Sequence, residues 1–116
     1  SPPLAVASSF SAAATAAGYN YLDYTHEVVV TASKPVVSFG GIAFVGARGA
    51  WLANSQWNVG VCSHEVGHNF GLNHSGFWDT DDGTTIGSGT AVEYGNPFDH
   101  MGGASSSFNA HLARVY

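Results

Sequence analysis

The chain has 116 residues, of which 45% are hydrophobic, 9% charged and 15 are glycine, the balance of one loop-rich globular domain and not of a disordered or coiled-coil polypeptide. A formal charge of −5 with Lys34, Arg48 and Arg114 as the only cations leaves no basic stripe to neutralise phosphates, which argues against nucleic acid and anionic membranes as partners. The single cysteine, Cys62, excludes an internal disulfide and any CxxC metal or redox pair.

The first 18 residues lack the basic segment of an intact signal peptide, and no apolar run of about 18 residues predicts a membrane span. Because residue 1 is Ser and not Met, residues 1–116 read as a single domain that is a processed product or part of a longer protein. "SSFSAAATAA" predicts a helix over Ser8–Ala17, with a serine to cap it and Gly18 to stop it. Tyr19 to Tyr24 reads as a connection. "HEVVVTAS", from His26, is a β-branched run suited to a buried strand that Lys34-Pro35 ends. "VVSFGGIAFVGARGAWLAN" alternates short apolar runs with glycines, which predicts one or two strands around a bulge or tight turn, with edge character. "NVGVCSHEVGHNFGL" spaces its apolar residues as a helix of about four turns ending near Gly71. Ser75 to Gly103 is rich in turn residues, and "SSSFNAHLARVY" predicts a capped terminal helix.

The densest chemistry lies in "HEVGHNFGLNH", His64 through His74. Residues four apart on a helix share a face, so His64 and His68 can direct ring nitrogens at one point. Glu65, next to the first of them, stands beside that point without being forced into coordination, as a general base must. Gly71 can adopt a positive φ that ends the helix and turns the chain, returning His74 as a third ligand. Three neutral imidazoles on Zn2+ leave the fourth tetrahedral position to water, whose pKa such a site lowers to about 7. An open site of this kind is catalytic in design, although three imidazoles also accept cobalt, manganese or copper.

"HEVGHNFGLNH" resembles the zinc signature of the metzincin peptidases, and Met101 in "FDHMGG" resembles the Met-turn that underlies the zinc in that clan. The string "VEYGNPFDHMG" followed by "FNAHLARVY" is similar to the gametolysin-type peptidases (peptidase M11) of algae and some bacteria. The likeness covers about the C-terminal half, Val59 to Tyr116. It implies an α/β (α+β) metzincin-like catalytic domain with a twisted mixed sheet, an active-site helix and a Met-turn, shorter than is usual for the clan. It further implies a secreted or cell-wall-associated zinc endopeptidase acting on proteins or peptides. His64, His68 and His74 would be the zinc ligands, Glu65 the general base, and Gly71 and Met101 structural supports. Gly103 stands where astacin-type metzincins carry a tyrosine two residues after the methionine.

Elsewhere simpler readings are preferred. Cys62 reads as a buried thiol, His26 as a surface or turn residue, His100 as an exposed loop residue and His111 as part of the last helix. Asp79–Gly83, "DTDDG", reads as a solvated turn because it lacks the spaced ligand series of an EF-hand calcium loop. Asp99 is a candidate to buttress the Met-turn through backbone amides, and Gly40 to Asn54 a candidate rim where an extended substrate adds as a strand. The competing reading from another class is a zinc-holding but inactive matrix or interaction module. Oligomeric state is not legible in the residues.

Overall fold

Four consecutive apolar residues, Ala50–Ala53, form the strand on which the sheet of the first unit is built. The computed structural model describes residues 2–31, 39–53 and 56–103, with side chains from Ser8 onward. They fall into two compact units, Ser1–Gly71 and Leu72–Tyr116. The helix expected over 105–116 and the Lys34-Pro35 strand stop lie outside the described residues.

In the first unit, β1 (Val28–Thr31) pairs parallel and β2 (Gly41–Ala43) antiparallel to β3 (Ala50–Ala53), giving a mixed sheet of order β1-β3-β2. All four β3 residues are buried, and an uninterrupted apolar run is what a strand paired on both sides requires. Trp51 fills the space beside it, with the Phe44 ring edge-on at 5.3 Å. The expected strand-turn-strand pattern of the glycine-rich stretch is present, with Gly46 (φ 69°) and Gly49 (φ 124°) in the turn. The expected edge character holds for β2, which with β1 flanks the sheet among the described residues, but not for β3, which is the central strand. Helix α1 spans Pro2–Ala16, beginning six residues before the predicted Ser8, because prolines fit the first helical turn, where amide hydrogens have no partner anyway. It stops as expected at Gly18 (φ 88°). The Gly18 and Tyr19 amides donate to Thr15 O at 3.0 Å and Ala14 O at 2.9 Å, closing a Schellman motif. The connection after it holds a single 3-10 turn, Tyr21–Asp23, capped by Asn20 and tied to the sheet turn by Arg48, whose Nη1 donates to Tyr24 O at 3.0 Å.

Helix α2 spans Val59–Asn69, about three turns instead of the expected four. Its first turn is capped by Asn58, whose side chain accepts from the Val61 amide at 3.0 Å. Its end is fixed by the sheet. Gly46 N and Gly71 N each donate to His68 O at 2.8 Å, and Gly71 has the positive φ, 92°, that the turn demands.

The second unit contains a two-stranded antiparallel hairpin, β4 (Phe77–Thr80) with β5 (Gly89–Val92), in the stretch expected to consist of turns. Its signal is masked because polar "DTDDGTT" and "GSGT" flank it, while the pairing relies on glycines at both ends. A Cβ at Gly76 would come within 2.6 Å of Val92 O, and one at Gly89 would collide with the Asp79 backbone. Asp82 closes the connection, accepting from Thr84 Oγ1 at 2.7 Å and from Thr84 N at 3.0 Å. Chiefly through the Thr84 hydroxyl and then its amide, this holds the Asp82 carboxyl below its ordinary value.

Candidate metal centre

His64 and His68 sit one helical turn apart on α2, and their rings meet edge to face with centroids 4.9 Å apart. His68 is buried and His64 half-buried. Between them in sequence, Glu65 is 7% exposed, an unusual burial for a carboxylate that no apolar surface would accept without reason. Its seat is made by Gly41 on β2. A Cβ at that position would come within 2.7 Å of Glu65 Cγ and Cδ, so the absent side chain of residue 41 is the space the glutamate occupies. Asn69 locks the same helix end. Its Nδ2 donates to Gly49 O at 2.9 Å and Phe44 O at 3.0 Å, binding the helix that carries the histidines to the turn joining β2 and β3.

His74 has a different setting. Its Nδ1 lies 2.6 Å from Glu93 Oε1, and the Tyr94 ring lies against the imidazole with centroids 3.9 Å apart at 37°. Tyr94 has a left-handed backbone (φ 59°), the only non-glycine residue so placed among those described. The residue after His74 is anchored as well: Ser75 N donates to Met101 O at 2.9 Å, and Asn96 N to Ser75 O at 3.2 Å. Met101 is fully buried in a turn that Asp99 closes, its Oδ1 accepting from the Met101 amide at 2.8 Å. Asp99 therefore does buttress that turn through a backbone amide. His100, expected to be exposed, is 5% exposed, because the turn that buries its two neighbours buries it too. His26 is half-buried and packs on Phe70 at 4.7 Å. Cys62 is a half-buried free thiol.

His64, His68 and His74 each offer one ring nitrogen, these nitrogens lie within 4.8 Å of one another, and the group could hold a metal ion. Three imidazoles are a donor set that suits a divalent transition metal such as zinc. The sequence pattern points to these three histidines and Glu65. It does not point to Gly41, Asn69 or Glu93. A glycine seat for a carboxylate and a carboxylate beside a ligand are long-range pairings with no local period. The doubled glycine at 40–41 and the lone acid in "VEYG" are the only hints the residues offer.

The family model described as Peptidase M66 matches residues 6–103, a span that includes the three histidines, Glu65, Glu93 and Met101. No curated protein and no solved structure matches the chain. The match supports a metallopeptidase and not the specific gametolysin-type assignment. With most of its length covered, the chain belongs to the Peptidase M66 family.

Proposed function

We propose that the chain is a zinc-dependent endopeptidase of metzincin type in which His64, His68 and His74 hold the metal and Glu65 is the general base. The observation that carries this reading is a buried carboxylate on the same helical turn as two of three imidazoles able to share a cation. A structural zinc site has no use for that carboxylate. Zinc, when bound, supplies Lewis-acid polarisation of the scissile carbonyl and brings the pKa of water toward neutrality. Glu65 takes the proton of the attacking water and delivers it to the leaving amine. Gly41 and the β2 backbone keep the carboxylate in place, so little reorganisation is needed as charge develops. An extended peptide adds along β2, an edge strand of the sheet among the described residues.

A Met-turn role for Met101 is supported by its complete burial and by the tie from its carbonyl to Ser75, the residue after His74. The finer kinship with gametolysin-type peptidases, and with it a secreted or cell-wall setting and extracellular protein substrates, rests on the sequence likeness of "VEYGNPFDHMG". In this reading residues 1–116 act as one catalytic domain.

The test is cleavage of a quenched peptide library by the zinc-loaded chain and by Glu65→Gln, with metal content measured on both. The expected result is unchanged zinc stoichiometry and a loss of at least about 100-fold in kcat/KM. No cleavage by the unmutated, zinc-loaded chain would instead identify a metal-holding module without activity.

A further inference from the structure

The second unit holds His74 with two adjacent residues, Glu93 and Tyr94, an arrangement that a continued strand would not allow. Successive side chains of a strand point to opposite faces. β5 ends at Val92; Glu93 and Tyr94 lie in the turn that follows, closed by Gly95 N donating to Val92 O at 3.1 Å, and with Tyr94 left-handed the carboxylate of Glu93 and the ring of Tyr94 both reach the same imidazole. A non-glycine residue in this region is strained and persists where its surroundings over-determine it. We propose that Glu93 and Tyr94 are positioning residues for metal binding, a clamp that fixes the tautomer and the plane of His74.

The chemistry of the contact sets the tautomer. An ionised carboxylate only accepts hydrogen bonds, so at 2.6 Å the Nδ1 of His74 carries the hydrogen and donates it to Glu93 Oε1. The lone pair then resides on Nε2, which becomes the ligand atom; a partner on the far nitrogen is how proteins commonly orient a metal-binding histidine. Tyr94 restricts the remaining freedom, rotation of the ring, by lying against its face. The backbone on the other side is already fixed through Ser75, whose amide donates to Met101 O and whose carbonyl accepts from Asn96.

The inference rests on the zinc reading, and its test separates the two. Ring nitrogen shifts of His74, which report which nitrogen carries the hydrogen, are read by NMR on the metal-free chain, and zinc affinity is read by competition with a chelator. The unmutated chain is expected to show the Nδ1–H form. Glu93→Ala is expected to move His74 to the Nε2–H form and to weaken zinc binding by about 10-fold, the lower end of the usual effect of such partners, because Glu93 is largely exposed. Glu93→Gln, whose amide oxygen can still accept, is expected to restore the Nδ1–H form. Tyr94→Gly keeps the positive φ and removes the ring, so the tautomer should stay while affinity falls. Matching circular dichroism spectra ensure that folded chains are compared. An Nε2–H form in the unmutated chain, or an unchanged tautomer and affinity in Glu93→Ala, overturns the clamp. Absence of zinc binding by the unmutated chain overturns the zinc reading itself, and the positioning role with it.

Discussion

His68 and His74 are held by opposite means. His68 takes its direction from a regular helix, capped at its start by Asn58 and pinned at its end by Asn69, so its neighbours are a few residues away or on the adjoining turn. His74 lies on irregular chain, and its direction comes from Glu93, Tyr94 and the Ser75–Met101 tie, 19 to 27 positions further along the sequence. The contrast shows two ways of fixing an imidazole. A helix supplies the angle through backbone hydrogen bonds that any suitable sequence can make, whereas a loop must be given its angle by particular side chains.

Two substitutions test the helical side, and a third tests the hairpin of the second unit. The largest effect is expected for Gly41→Ala, which attacks the helical side where Glu65 meets β2. The added methyl competes with Glu65 for the same space, so activity should fall by about 100-fold, the order of a displaced general base, while zinc content stays near that of the unmutated chain. Steady-state kinetics with metal analysis reads both; loss of zinc along with activity would mean that Gly41 supports the helix and not the glutamate. Next comes Asn69→Ala. It removes the side-chain donor from one buried and one part-buried backbone carbonyl, a cost of about 1 kcal/mol, to be read as a lowered midpoint in urea unfolding. An unchanged midpoint would show that the helix end holds without it.

The smallest effect lies in the hairpin. Thr84 holds Asp82 below its ordinary value, so the folded state binds the proton less readily than the unfolded chain. The stabilisation is therefore fully present above the unfolded pKa of about 4 and disappears as pH falls through the lower folded value. The difference in thermal midpoint between the unmutated chain and Asp82→Asn should shrink below about pH 4. The group is exposed, so the difference should be slight; a gap that widens on acidification would contradict the sign.

The same contrast explains what could be read from residues alone. The α2 ligands, the glutamate between them, the stop at Gly71 and the stop at Gly18 all follow from helical spacing and glycine geometry, both of which are local. The buried turn around Met101 was legible only through resemblance, and His100 was misplaced to the surface because burial of a loop depends on what packs over it. The β4–β5 hairpin was hidden in polar, glycine-rich sequence, since its register depends on the close approach of Gly76 and Gly89 to the opposite strand and not on an apolar pattern. The central place of β3 was missed for a related reason: parallel pairing with β1 joins segments about 22 residues apart, and period within a strand says nothing about its neighbours.

Most rests on three imidazoles sharing one zinc with a vacant position for water. X-ray absorption at the zinc edge, on the chain loaded with one equivalent of metal, reads that coordination directly. The expected spectrum fits three imidazole nitrogens and one oxygen at about 2.0–2.1 Å, and substitution of His74 by Ala should remove one of the three nitrogens. A first shell of four protein ligands, a sulfur from Cys62, or a shell unchanged in the His74→Ala variant would contradict it.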